Sequence, residues 1–303
     1  MNAIATAIVP ICLLLILGYI ARRTQFLPDS FWQPAERATY YVLFPLLLVN
    51  ELAHAQFILA DASIIIGYAL AIPLIASALC LLALILLPMN GADFTSFFQG
   101  GIRFNTYIGL AVASSVLPKS SMALAALLIA IMIPVINIIC VSIFAVFTHG
   151  KASLKTIGLN IVKNPLIMGS LIGIIINLTG LAIPDIAANV MQKLAQMALP
   201  LGLLAVGAGL NLHQWRGMGN IVIVSSFIKL ALLPLIIYAC NQVFLISPAL
   251  NTVLVLFSAL PTASSAYILA RQLGGNAELM AIIITAETLI SLISLPICLI
   301  LIT

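Results

Sequence analysis

Polar residues gather in one stretch of an otherwise apolar chain, QGGIRFNTYIGLAVASSVLP, residues 99–118. The amide of Asn105 can donate a hydrogen bond to an oxyanion, Thr106 adds a hydroxyl, and Arg103 adds positive charge. Gly109 has no side chain and lets a ligand approach the backbone closely. These residue types at this spacing predict a binding site for an anion. The alternative role for Arg103 is structural: its long side chain would extend from the helix end and place the charge at the membrane surface.

A second polar stretch, SALPTASSAYILARQLGG, covers residues 258–275 and contains Pro261, Thr262, Ser264 and Ser265. Proline removes a backbone donor, and backbone groups freed at membrane depth are tolerable only where they line a cavity or meet a ligand. Close packing of small residues is the alternative for either stretch taken alone. Because both interruptions fall in corresponding segments, we expect them to share one substrate site.

Two further ionisable residues, Lys229 and Glu287, also lie inside apolar segments. Glu287 is followed at i+4 by Ser291, so a narrow polar stripe is expected on that helix. Lys229 lies at a similar estimated depth, which predicts a Lys229–Glu287 pair. The pair is either purely structural or belongs to ion coupling, with Glu287 as a proton carrier or part of a cation site and Ser291 beside it.

These residues are positioned by membrane-spanning helices. The chain has 303 residues, of which 63% are hydrophobic and 7% charged, whereas soluble domains carry about 25% charged residues. Apolar segments long enough to cross about 30 Å of hydrocarbon indicate an all-α membrane protein. Ten such segments are predicted, at about 4–21, 35–53, 62–87, 97–117, 121–148, 161–178, 187–210, 219–246, 249–271 and 277–302.

Lysine and arginine in the loops set the expected orientation. With the N-terminus outside, only Lys119 and Lys193 fall on the outer side. The inner side collects Arg22, Arg23, Arg37, Lys151, Lys155, Lys163, Arg216 and Arg271. Both termini are therefore predicted outside the cytoplasm. The net charge of +4 reflects this bias, and no nucleic-acid partner is expected.

An internal repeat is visible in the spacing of prolines and small residues. Four identical pairs are 155 residues apart: Pro10 and Pro165, Gly18 and Gly173, Pro45 and Pro200, Ala111 and Ala266. The unit holds five segments, an odd number, so the second copy must enter the membrane from the opposite side. We expect a first repeat at 1–148, a cytoplasmic linker at 149–160 and an inverted second repeat at 161–303. This arrangement is typical of alternating-access transporters.

Four motifs, RFNTYIGLAV, NPLIMGSLIGIIINLTGLAIP, ALPLGLLAVGAGL and ALPTASSAYILARQLG, resemble the auxin efflux carrier family in its bacterial branch. The resemblance implies ten helices in a five-plus-five inverted repeat, similar to bile acid symporters and sodium/proton antiporters. Helices 1, 2, 6 and 7 would form a scaffold that often dimerises. Helices 3–5 and 8–10 would form the moving transport domain, with helices 4 and 9 broken where they cross.

The resemblance also implies a substrate class and one departure. Bacterial relatives are associated with small carboxylates such as malate, and plant relatives with indole acetate. The family commonly has a proline at each crossover, but this chain has Ala111 and Ala266 at the matching positions. Asn105 and Pro261 remain to break the two helices.

The first functional hypothesis is a secondary carrier for a small organic anion, a carboxylate, in the bacterial cytoplasmic (inner) membrane. A cation/proton antiporter or a sodium-coupled symporter of the same architecture is the alternative. An antiporter is expected to have Asp at the crossover, whereas Asp29, Asp61, Asp93 and Asp185 fall in loops. An enzyme is not expected, since no membrane-embedded Asp pair or His is present. No metal site and no cofactor beyond a coupling proton or sodium ion are predicted, because no ligand motif or nucleotide-binding motif occurs.

Overall fold

The computed structural model describes residues 2–54, 59–148, 165–210 and 219–302. Within these ranges the chain forms helices and the turns that join them, without a strand. The prediction of an all-helical membrane protein is therefore confirmed. The predicted linker at 149–160, with His149, Lys151 and Lys155, lies outside the described residues, as do Lys163, His213 and Arg216.

The helices are numbered here by the ten predicted segments. The first half contains α1 (Asn2–Arg23), α2 (Asp29–Ala38, a π-helical turn at Thr39–Leu43, and Phe44–Ala53), α3 (Leu59–Leu86), α4a (Gly91–Ile102), α4b (Thr106–Val116) and α5 (Lys119–Phe147). The second half contains α6 (Pro165–Thr179), α7 (Asp185–Gly209), α8 (Asn220–Phe227, a π-helical turn at Ile228–Leu232, and Leu233–Val243), α9a (Pro248–Ser258), α9b (Ser265–Leu273) and α10 (Ala277–Ile302).

Five of the described helices are long and apolar enough to cross a membrane. They are Asp61–Leu86 in α3, Ser121–Phe147 in α5, Asp185–Gly209 in α7, Asn220–Val243 in α8 and Ala277–Ile302 in α10. The shortest has 24 residues, which at 1.5 Å per residue exceeds the roughly 30 Å of hydrocarbon in a bilayer. Helices α6 and α9a are apolar but shorter. The protein is therefore embedded in a membrane.

Helix α2 starts earlier than its hydrophobicity predicts. The apolar pattern placed its start at residue 35, but the helix begins at Asp29, directly after Pro28. Its first turns carry charged and polar residues and bury only Trp32 and Ala35, so a hydropathy pattern does not detect them.

Helices α1 and α7 pack with their backbones in contact. A side-chain carbon at Gly18 would overlap the backbone of Leu204, and one at Gly207 would overlap the backbone of Leu15. Glycine is therefore required at both positions for this approach. Arg22 extends the same contact at the end of α1, where Nη1 donates to the carbonyl oxygen of Ala208 at 2.9 Å.

Helices α2 and α6 repeat this contact with the two halves of the chain exchanged. A side-chain carbon at Gly173 would lie 3.1 Å from the Cα of Val49. Gly173 is 155 residues after Gly18, and Val49 is 155 residues before Leu204. The pair Gly18–Leu204 thus has its counterpart in the pair Gly173–Val49.

The remaining helices, α3 to α5 and α8 to α10, pack mainly on one another. At one end of this group the backbone N–H of Asn276 donates to the carbonyl oxygen of Ala92 at 3.0 Å. The Asn276 amide donates to Asp93 at 2.7 Å, and the Thr148 hydroxyl donates to the carbonyl of Leu273 at 2.9 Å. The start of α4a, the end of α5, the end of α9b and the start of α10 therefore lie together.

A salt bridge joins the end of α1 to the start of α2. Arg22 Nε lies 2.8 Å from Asp29 Oδ1. The hydrogen bond from the guanidinium lowers the pKa of the Asp29 carboxyl, so this exposed acid is ionised near neutral pH.

Candidate functional site

The fourth helix is interrupted between Ile102 and Thr106. Asn105 caps the second half, because its Oδ1 accepts hydrogen bonds from the backbone N–H groups of Tyr107 at 3.1 Å and Ile108 at 3.2 Å. A side-chain oxygen at this position replaces the carbonyls that the interruption removes. The sequence thus restarts a helix after the interruption, with the N-terminus of α4b facing the interruption.

The ninth helix is interrupted between Ser258 and Ser265, and the two interruptions touch. The backbone N–H of Asn105 donates to the carbonyl oxygen of Pro261 at 2.7 Å. This hydrogen bond therefore satisfies a free backbone donor of the fourth helix and a free backbone acceptor of the ninth helix. Hydrocarbon offers no partner for either group.

A cavity of about 420 Å³ lies against both interruptions. Five residues predicted for the substrate site line it: Arg103, Asn105, Thr106, Ser264 and Ser265. The first residues of α4b and α9b are among them, so the N-terminal ends of both half-helices lie at this cavity. Helix N-termini carry partial positive charge, which favours anions.

Two donors in the cavity wall have no hydrogen-bond partner among the described residues. The Nδ2 atom of Asn105 is buried and unpaired, although Oδ1 of the same amide caps α4b. The Nη1 atom of Arg103 is likewise buried and unpaired, while Nη2 lies 3.4 Å from the hydroxyl of Ser265. An acceptor placed in the cavity would satisfy both donors.

Three residues predicted for the substrate site do not line this cavity. Gly109 packs against the ninth helix, where an added carbon would lie 2.6 Å from Leu260 Cδ1. Pro261 contributes its carbonyl to the crossover contact. Thr262 is fully buried, and its hydroxyl oxygen lies 2.6 Å from Glu287 Oε2. All three lie in the contact between the two broken helices.

Several cavity residues were not predicted from the sequence. Glu36, Arg37 and Tyr40 on α2 and Asn137 on α5 all line the cavity. Glu36 contacts the ninth helix directly, since its Oε1 accepts a hydrogen bond from the hydroxyl of Ser264 at 3.2 Å. Asn137 could have been found as a polar residue inside an apolar segment, in the motif PVINIIC.

Glu287 lies outside the cavity wall, in a fully buried polar cluster. Its Oε1 accepts a hydrogen bond from the hydroxyl of Ser225 at 3.1 Å. Its Oε2 accepts from the backbone N–H of Thr262 at 3.0 Å and lies 2.6 Å from the Thr262 hydroxyl. Ser291 is buried but donates to the carbonyl of Thr288 in its own helix at 2.7 Å.

Lys229 is fully buried in the π-helical turn of α8. Its Nζ has no hydrogen-bond partner among the described residues, and its distance from Glu287 is too great for a salt bridge. The predicted Lys229–Glu287 pair is therefore not a direct contact in this structure. Instead, the hydroxyl of Ser225, one turn before Lys229, donates a hydrogen bond to Glu287.

The chain matches a known family over nearly its whole length. A family model described as membrane transport protein covers residues 3–299, whereas no curated protein matches the chain. Within the described residues, no three His, Cys, Asp or Glu side chains come together as a metal site. The chain belongs to the membrane transport protein family, that of the auxin efflux carriers, and is therefore a membrane transporter.

Proposed function

We propose that the protein is a secondary active carrier for a small organic anion, a carboxylate, and that the cavity of about 420 Å³ is its substrate site. The unpaired donors Asn105 Nδ2 and Arg103 Nη1 carry this proposal. A buried donor without a partner costs about 1–3 kcal/mol. A carboxylate oxygen on each donor would remove that cost.

Charge and size support the same ligand class. The cavity wall carries two cations, Arg37 and Arg103, and one acid, Glu36. The N-termini of α4b and α9b add partial positive charge. The volume falls within the range of about 300–1,000 Å³ that is usual for small-molecule sites. A cation carrier would instead need an excess of acids at the crossover.

Alternating access through an inverted repeat is the mechanism that we propose. The exchanged contacts Gly18–Leu204 and Gly173–Val49 support a two-fold relation between residues 1–148 and 161–303, joined by the linker at 149–160. Helices α1, α2, α6 and α7 would form the scaffold, and α3 to α5 with α8 to α10 the moving domain. The cavity lies between these groups, since α2 lines it opposite the two interruptions.

The proposed setting is the cytoplasmic membrane of a bacterium, with both termini outside. The close association of the end of α5 with the end of α9b, through Thr148 and Leu273, is consistent with one shared cytoplasmic side. A homodimer through the scaffold is also proposed, because α1 and α6 present exposed apolar residues such as Leu17 and Ile175. Lipid covers these faces in a monomer.

Binding of carboxylates to the purified carrier tests the proposed function. A panel of mono- and dicarboxylates is screened by thermal shift, with and without sodium and at two pH values. A ligand at 100 times its Kd should stabilise the folded state by about 2.7 kcal/mol. At least one carboxylate is expected to raise the Tm of the parent protein.

Arg103→Gln should abolish that shift, because it removes a cavity cation. Arg271→Gln is the matched control, since Arg271 is an exposed arginine on α9b outside the cavity wall. Equal carboxylate responses in Arg103→Gln and the parent would place the anion site elsewhere.

A further inference from the structure

The hydroxyl of Thr262 has two oxygen neighbours at hydrogen-bond distance. Thr262 Oγ1 lies 2.6 Å from the carbonyl oxygen of Gly100 and 2.6 Å from Glu287 Oε2. Oxygen atoms at this separation share a hydrogen. A threonine hydroxyl has one hydrogen. Two contacts of 2.6 Å, both at the short end of the O–H···O range, favour a separate hydrogen in each of them. The second contact needs a hydrogen from another group.

The Gly100 carbonyl cannot supply that hydrogen, because a carbonyl oxygen only accepts. The Gly100 carbonyl oxygen has no backbone donor among the described residues, because α4a ends at Ile102 and lacks the next turn that would donate to this oxygen. The last backbone hydrogen bond of this half runs from the N–H of Arg103 to the carbonyl of Gln99 at 2.9 Å. The Thr262 hydroxyl is therefore the donor for Gly100, and Glu287 is the remaining source of a hydrogen.

We propose that Glu287 is protonated on Oε2 in this conformation and donates to Thr262 Oγ1, and that a proton is the coupling ion of the carrier. Oε2 keeps a lone pair for the backbone N–H of Thr262 at 3.0 Å. Oε1 accepts from Ser225 at 3.1 Å. Each of the four contacts around Glu287 and Thr262 then contains one hydrogen. The coupling part rests on the proposed function.

The titratable groups that face Glu287 do not pair with it directly. Among the described residues these are Lys229 on α8 and Cys80 on α3. Neither forms a salt bridge with Glu287. A fully buried carboxylate without a direct cationic partner is costly, and protonation removes that cost.

Loss of the proton would change the crossover. The proton would leave Glu287 Oε2 for water, and the stronger acceptor thus formed would attract the hydroxyl hydrogen of Thr262. The Gly100 carbonyl would then lose its donor. Gly100 lies in α4a, a few residues before Asn105. The proton on Glu287 is therefore linked to the helix interruption that forms the anion site.

Infrared spectroscopy of the purified protein at neutral pH tests the protonation directly. We expect a protonated-carboxyl C=O band that shifts in D2O, is lost in Glu287→Gln and is kept in Glu278→Gln. Glu278 is an exposed acid in the first turn of the same helix. An unchanged band in Glu287→Gln would overturn the proposal. The measurement needs no anion, so a failure here is distinguishable from a failure of the carboxylate screen.

The position of the same infrared band tests the hydrogen bond between Glu287 and the Thr262 hydroxyl. Thr262→Val removes the partner of the acid and should move the band to higher frequency, whereas Thr262→Ser keeps the hydroxyl and should leave it in place. A band at the parent position in both variants would exclude the Thr262 link. If the valine variant does not fold, the serine variant and Glu287→Gln still decide the protonation.

Discussion

The backbone N–H of Asn105 donates a hydrogen bond to the carbonyl oxygen of Pro261 at 2.7 Å. These residues belong to different halves of the chain, and each lies in the interruption of its own helix. The contact fixes the two interruptions against each other and places the unpaired amide donor of Asn105 beside the cavity. The proposed anion site therefore exists only when both halves are assembled.

Asn105→Asp should separate the two roles of this side chain. The carboxylate can still cap α4b, because acidic residues are good N-caps. It replaces the unpaired donor with a negative charge at the proposed anion site. We expect a Tm near that of the parent in the absence of ligand and no stabilisation by carboxylates.

Asn105→Ser is the control for this prediction, since it keeps a neutral cap acceptor without the amide donor. It should fold and bind a carboxylate more weakly by about 1–3 kcal/mol. Carboxylate stabilisation of the Asp variant equal to that of the parent would show that the amide does not face the ligand.

Glu36→Gln should strengthen anion binding. The change removes the one acid of the described cavity wall but keeps an oxygen that can accept from Ser264. We expect a lower Kd for a carboxylate, measured by isothermal titration calorimetry. Glu278→Gln is the control, because it removes an exposed acid elsewhere. Weaker binding in Glu36→Gln would mean that Glu36 makes a favourable contact with the substrate or with a proton on the substrate.

Lys229→Met should raise the Tm of the unliganded protein. Lys229 Nζ is buried with no hydrogen-bond partner in the described part of the chain, and methionine fills a similar volume without a polar atom. Burial of an unpaired polar group costs at least about 1–3 kcal/mol. A large drop in Tm would instead show that Lys229 pairs with Glu287 in solution, because a lone charge left by breaking such a pair is strongly destabilising.

Gly18→Ala should lower the Tm, because the added carbon would overlap the backbone of Leu204. Overpacking of this kind costs about 1–3 kcal/mol. Gly67→Ala is the matched control, since no atom lies within 4 Å of the added carbon there. That substitution should be neutral or stabilising, because alanine favours helix over glycine by about 1 kcal/mol. Thermal unfolding in detergent compares the two, and equal effects would contradict the close α1–α7 contact.

The sequence alone was sufficient for the helical membrane class and for the location of both interruptions. Local chemistry decides these features. Long apolar segments must form helices in hydrocarbon, and Asn105 and Pro261 disfavour continuous helix wherever the segments pack. The start of α2 was misplaced by six residues because its first turns are polar and hydropathy does not report them.

Only the tertiary structure decided which polar side chains face one another. Thr262 and Ser264 are two residues apart, yet Thr262 binds Glu287 while Ser264 lines the cavity and binds Glu36. Helical periodicity cannot predict this division, because the interrupted backbone lets nearby side chains leave in different directions. Lys229 and Glu287 lie at similar estimated depths, but depth along a helix does not fix the rotation that would bring their charges together. These relationships depend on packing between distant helices, which no local pattern in the sequence contains.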